Sequence, residues 1–219
     1  MTLLDFARGP GLQWSLMIFA FGVVWRIVGA ALLRRTRDCS KPRVSTGERV
    51  TGGLETILSR FFVPKVLEKR VHFSHVAGSI WHIGFFIVVL FFVPHILFFK
   101  SLLGFGWPGL PNPVILAVAA ITLATLVVLL VRRITNPVLK IISSTDDYIS
   151  WAVTALPLIT GFLAMEHIGL RYENLLAIHI LSVELLLIWF PFGKLMHLFF
   201  FVPSRYNVGA IFARRGVRV

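Results

Sequence analysis

Cysteine is nearly missing from this chain: Cys39 stands alone among 219 residues. One thiol cannot close an internal disulfide, complete a Cys-x-x-Cys-His haem attachment or hold an iron–sulfur cluster by itself. Acidic side chains are scarce as well, ten against 22 Lys and Arg. Long polar stretches are few, because 57% of the residues are apolar and the mean hydropathy is +0.82. No segment between the apolar runs is long enough for a soluble domain. What is left is the composition of an integral membrane protein.

Five apolar runs can each span a bilayer, about 12–33, 76–99, 113–131, 148–165 and 175–203. The expected fold is all-α, a bundle of five transmembrane helices forming one membrane domain over residues 1–219. The net charge of +12 could suggest nucleic acid, but its distribution argues against that partner. Eighteen Lys and Arg fall in 34–75, 132–147 and the end of the fifth run with the tail, against Arg8, Lys100 and Arg171 opposite. This asymmetry predicts the N-terminus outside and the C-terminus in the cytoplasm. The first run lacks a basic leader and a small-residue cleavage site and carries Arg26, so it reads as retained rather than as a signal peptide.

The fifth run carries His179 and His197, eighteen residues apart. On one continuous helix that is five turns, which puts both imidazoles on one face about 27 Å apart. One would then lie near each surface of a hydrocarbon core about 30 Å thick. The second run carries His82 and His95. Antiparallel packing of the two would bring His82 level with His197 and His95 level with His179. Two bis-histidine pairs at two depths suit two haem irons, since neutral imidazole is an axial ligand. With so little cysteine, such haems are held non-covalently. The alternative is a set of interfacial histidines hydrogen-bonded to neighbours. The outer pair fits less simply, because thirteen residues place His82 and His95 about 140° apart on a straight helix. Pro94 can bend the end of the second run and re-aim His95. His72 and His75 fall too far toward the cytoplasm to join either pair.

Other residues carry two readings each. Arg26, at membrane depth beside Trp25, can meet a haem propionate or snorkel to headgroups. Lys100, five residues beyond His95, can hydrogen-bond a quinone carbonyl or snorkel. The segment about 49–70 places Val50, Leu54, Ile57, Leu58, Phe61 and Phe62 at helical spacing before Pro64. It reads as a basic amphipathic helix on the inner leaflet or as a docking surface for a cytoplasmic subunit. Arg132 and Arg133 can reach propionates or simply mark topology. Ser144-Thr145-Asp146-Asp147 can cap the fourth helix. Glu184, on a different face from His179, can move protons or hydrogen-bond a neighbouring helix. The tail beyond Pro203 is basic and is expected to lie along the membrane or against a partner.

With these residues in view, the chain resembles the gamma subunit of respiratory nitrate reductase. It is similar too to the membrane cytochromes of heterodisulfide-reductase-like and sulfite-reduction-associated complexes. The matching features are Trp25-Arg26, Trp81-His82-Ile83-Gly84, and His179 through Phe190-Pro191-Phe192-Gly193-Lys194-Leu195-Met196-His197. Arg132-Arg133 with Thr145-Asp146-Asp147 is a looser match. The resemblance implies two b-type haems between the second and fifth helices, with His82 and His197 on the inner one and His179 on the outer. It implies electron transfer between membrane quinol or quinone and a cytoplasmic iron–sulfur subunit, in the inner membrane of a prokaryote. The chain would thus be the electron-transfer subunit of a quinone-linked oxidoreductase, not its terminal catalytic subunit. In the nitrate enzyme pattern the fourth ligand stands ten residues after the first, where this chain has Phe92; His95 is the nearest substitute. That departure and the long connection before the second run lean toward the heterodisulfide-reductase-like branch. Two alternatives stay open: a true nitrate reductase gamma subunit, and a haem-free transporter or assembly scaffold.

Overall fold

The computed structural model describes residues 2–34, 38–63 and 68–217, the Glu68 and Arg70 side chains apart. Among the described residues all regular structure is helical: α1 Leu3–Phe6, α2 Leu12–Leu32, α3 Thr46–Ser59, α4 Glu68–Phe91, α5 Val93–Leu103, α6 Asn112–Thr135, α7 Pro137–Ile142, α8 Thr145–Met165, α9 Tyr172–Trp189 and α10 His197–Arg214. Five stretches are long and apolar enough to cross a membrane: Leu3–Leu32, Val71–Phe91, Asn112–Thr135, Thr145–Met165 and Tyr172–Trp189. The protein is therefore a multi-pass helical membrane protein.

The breaks between helices differ from the expected spans, and each has a backbone cause. The first span begins at Leu3 rather than at residue 12 and passes through a π-turn at Ala7–Gly11, where Gly9 leaves helical geometry (φ −106°, ψ −106°) and Pro10 supplies no N–H. The second, expected to run continuously to residue 99, stops at Phe91. Phe92 is extended (ψ 125°), and α5 restarts with Pro94 in its first turn. The fifth, expected as one helix over 175–203, ends at Trp189. A turn through Pro191 and Gly193 and a short 3₁₀ piece, Lys194–Met196, separate it from α10. His179 and His197 thus stand on different helices, and the five-turn argument for one shared face does not hold. The third and fourth spans, Asn112–Thr135 and Thr145–Met165, run somewhat past their expected ends.

Helix α4 packs on α6, while α9 packs on α8, on α2 and on the π-turn; among the described residues α4 and α9 share no extensive contact. Close approaches set these contacts. A Cβ on Gly84 would lie 2.0 Å from Thr122 Oγ1, and one on Gly22 would lie 2.5 Å from Pro191 Cγ. The densest apolar centre is Leu126, Ala155 and Leu158, packed against Trp81, Phe85, Leu123 and Trp151. Elsewhere large apolar side chains face outward, Phe21, Trp25 and Ile83 among them, as a lipid-facing bundle requires.

The connection and the tail form a second unit. Ser45 and Glu48 make a capping box that starts α3, and their reciprocal hydrogen bonds hold the Glu48 carboxyl below the usual carboxylate range. Within the expected amphipathic segment at 49–70, α3 runs to Ser59 and α4 starts at Glu68; Pro64 and Lys65 lie outside the described residues. The tail, expected along the membrane or against a partner, forms most of the helix α10, which packs on α3. Small residues make this possible: a Cβ on Gly209 would come within 2.2 Å of Thr56 Oγ1, and one on Gly53 within 2.6 Å of the Tyr206 ring. Arg205 donates to the Ile57 carbonyl at 3.1 Å and lies over the Phe61 ring at 4.4 Å. Asp38 pairs with Arg214 and Arg215 at 3.7 and 3.6 Å.

Candidate functional site

The four histidines meet in two pairs. The ring centroids of His82 and His197 are 6.1 Å apart with planes at 84°, and those of His95 and His179 are 6.1 Å apart with planes at 18°. The breaks in the second and fifth spans are what aim them.

His95 is placed by Pro94. A proline at position 94 cannot donate to the carbonyl of Leu90, four residues earlier. That orphan carbonyl accepts Trp107 Nε1–H at 2.6 Å, and the next one, Phe91, accepts the Leu110 N–H at 2.9 Å. The outer loop therefore closes the break with its own donors. Val88 O keeps only a long bond of 3.4 Å from Phe92 N and also accepts from His95 Nδ1 at 3.0 Å.

His197 is placed by the Phe190–Met196 turn, which the start of α8 holds. Asp146 Oδ2 accepts the Lys194 N–H at 3.1 Å, and Asp147 Oδ2 pairs with Lys194 Nζ at 2.5 Å. Arg133 completes the Asp147 site at 3.2 Å, and Ser144 caps α8 with the same carboxylate. Trp189 Nε1 donates to Ser150 Oγ at 3.0 Å, which donates to Asp146 at 3.2 Å. His197 Nδ1 then donates to the Lys194 carbonyl at 2.9 Å.

The same division of labour recurs in all four rings. His82 Nδ1 donates to Gly78 O at 2.6 Å, one helical turn back. His179 Nδ1 lies 3.2 Å from Thr160 Oγ1, whose own proton points to Leu156 O at 2.7 Å, so the imidazole is the donor there. Ser182 Oγ lies 2.9 Å from that hydroxyl and donates to His179 O at 2.6 Å. In each ring Nδ1–H is engaged, and Nε2 has no hydrogen bond among the described residues. A histidine whose Nδ1–H is held by a carbonyl or hydroxyl presents its Nε2 lone pair, the form that ligates metals.

The spacing bears on what can sit between the rings. With metal–imidazole bonds of about 2 Å and each centroid about 1 Å behind its nitrogen, a metal held between two Nε2 atoms separates the centroids by about 6 Å. Each pair offers only two protein nitrogens. Among the described residues no cluster of three or more His, Cys, Asp or Glu could hold a bare metal ion. Two axial nitrogens suit an ion whose remaining ligands come from a macrocycle. The donor set of each pair is of the kind that fits a haem.

The remaining expected site residues are not drawn together. Arg26 is exposed on α2 and makes no hydrogen bond or ion pair among the described residues. Lys100, in the last turn of α5, lines a hollow of about 330 Å³ with Val93, Ile96, Leu97, Trp107 and Gly109. Arg132 hydrogen-bonds Ser74 and lies over Phe73, tying the start of α4 to the end of α6. Sequence reasoning missed Thr160 and Ser182 as partners of His179, and Asp146 as the clamp on the turn before His197. Hydroxyl residues at membrane depth in the fourth and fifth spans are the signal that could have found the first two.

Fold and site together define a five-span helical membrane protein with two facing histidine pairs. A protein of Nitratidesulfovibrio vulgaris (strain Hildenborough) is 34% identical to it over 218 residues, covering 96% of this chain and 94% of that one. The chain belongs to the same family as that protein. No protein-family model matches the sequence, and no solved structure matches the fold.

Proposed function

We propose that this protein is a di-haem cytochrome b, the membrane-anchor subunit of a respiratory redox complex. It relays electrons between membrane quinol or quinone and a cytoplasmic iron–sulfur subunit. The observation that carries the reading is the pairing itself: four rings, each with Nδ1–H engaged and Nε2 free, opposed at 6.1 Å in two places. Bound haem would supply reversible one-electron chemistry. The chain's own residues do the rest: His82 with His197 and His95 with His179 ligate, and the carbonyl and hydroxyl partners fix each ring's tautomer and angle.

The excess of Lys and Arg on one side supports an N-terminus outside and a C-terminus in the cytoplasm, in a prokaryotic inner membrane. The His82–His197 pair then lies toward the cytoplasm. There the α3–α10 unit, whose last helix starts at His197, offers the surface for the iron–sulfur partner. On the outer side, the hollow beside Lys100 and Trp107 is where a quinone headgroup could accept a hydrogen bond from the ammonium. Arg26 is the candidate counter-ion for a propionate. The use of His95, with Phe92 at the nitrate-enzyme position, favours the heterodisulfide-reductase-like branch over a nitrate reductase gamma subunit.

The test is a dithionite-reduced minus oxidised visible spectrum of the purified protein with a haem-to-protein ratio. Sharp b-type bands at two haems per chain are expected. A well-folded preparation without haem, even when made with its natural partners, sinks the reading and leaves the transporter or scaffold.

A further inference from the structure

Glu184 has no task in the reading above. It lies inside α9, only 6% exposed, and its Oε1 has no hydrogen-bond partner among the described residues. An ionised carboxylate without a partner at such depth is costly, and membrane interiors keep such groups where they act. Glu184 is five residues from His179, about 140° around the helix, so it faces away from the histidine pair.

What it faces is the irregular turn of the first span. A Cβ on Gly11 would lie 2.7 Å from Glu184 Oε2 and 2.9 Å from Oε1, so the carboxyl group rests directly on the glycine backbone. Ala7 and Gly11 are buried there, Gly9 is non-helical, and Pro10 contributes no N–H. The regular i→i−4 ladder is interrupted at this point by the π-turn, a feature that recurs at functional sites. Water that inserts into such a break can pass a proton to a side chain.

The charged neighbours are few. Asp5 and Arg8 come from the first span, are both exposed, and form no ion pair with Glu184. Arg26 lies four turns further along α2. On α8 the acids Asp146 and Asp147 are engaged at its start by Lys194 and Arg133. A metal cation would need about six oxygen ligands, and the side chain brings two. A proton needs one.

We propose that Glu184 is a proton-binding site within the membrane, loaded through the break at Ala7–Gly11. Loading joins one proton to one carboxylate to give the neutral acid, and no electron moves. A further step rests on the di-haem reading: an electron reaching the histidine pairs draws that proton onto Glu184, so the interior gains no net charge.

Infrared spectroscopy of the full-length protein in detergent, exchanged from H₂O to D₂O, tests this. The wild type is expected to show the carbonyl stretch of a protonated, water-shielded carboxyl that shifts down in D₂O. Glu184→Gln removes it, and Glu184→Asp, which keeps the acid but shortens it, moves it. Pro10→Ala restores the missing N–H and slows the exchange of this band several-fold. A wild-type spectrum without the band, or a band that Glu184→Gln or Glu184→Asp leaves in place, overturns the site. Exchange unchanged in Pro10→Ala overturns the route. If haem is present, the pH dependence of its midpoint potential flattens in Glu184→Gln; an unchanged dependence overturns the coupling. A protein with the band but no haem keeps the proton site and removes the di-haem reading, so the two fail separately.

Discussion

The His82–His197 and His95–His179 pairs share a centroid separation of 6.1 Å yet are built by different means. In the first, both rings are exposed, and His197 is set by a turn that charged groups on α8 clamp. In the second, both rings are half-buried. One ring is set by a proline break that the outer loop seals, the other by hydroxyls on the neighbouring helix. One pair depends on electrostatic clamping near a membrane surface, the other on packing and neutral hydrogen bonds. Polar contacts between neutral groups suit the more buried pair, because a buried charge must be paired or neutralised. The structure thus uses a different anchor for each pair to reach the same ring separation.

The largest test of this comparison removes ligands one at a time. His82→Ala and His197→Ala should each lower the haem content from two per chain to one and leave the same spectral component behind. His95→Ala and His179→Ala should each leave the other component. Variants from different pairs that spare the same component would break the pairing, with the pyridine haemochrome as the readout.

A second test separates the anchors. A Cβ on Gly193 would lie 2.4 Å from Trp189 Nε1 and 3.0 Å from Asp146 Oδ1, so Gly193→Val should spring the clamped turn. Haem loss from the His82–His197 site alone is expected, and loss from both sites would show that the anchors are not independent.

Thr160→Val is the matching change at the other level. It deletes the acceptor for His179 Nδ1 and should weaken ligation there about tenfold or more. Haem retention measured against added apo-myoglobin would report it, and the His82–His197 component should be untouched.

The smallest effect needs no substitution. The ring planes are near-perpendicular in one pair, 84°, and near-parallel in the other, 18°. Two low-spin ferric haems so ligated should give distinct paramagnetic resonance signals, the perpendicular pair the more anisotropic. A single signal would mean that the two ring arrangements converge once haem is bound.

Much of this was legible in the chain itself. Apolar runs separated by basic stretches located the five spans, since a bilayer demands long internally bonded helices and little else. Depth matching placed His82 opposite His197 and His95 opposite His179, and the structure brings those rings together. His197 is not on the same helix as His179, because Pro191 and Gly193 end α9 first. The suspicion about Pro94 pointed to the actual mechanism. The helical tail escaped notice because its mean apolarity is modest; what folds it is glycine-mediated contact with α3, which no periodicity in the tail alone reveals.

By itself, then, the sequence determined the membrane class, the number of spans and which histidines could stand level with one another. Those follow from composition and from one-dimensional distances along the bilayer normal. Only the tertiary structure decided where the spans break, which carbonyl or hydroxyl holds each Nδ1, and that Glu184 rests on Gly11. These depend on contacts between segments far apart in the chain, such as Asp146 with Lys194 or Trp107 with Leu90. Local periodicity carries no information about which distant group will satisfy an orphaned donor or acceptor.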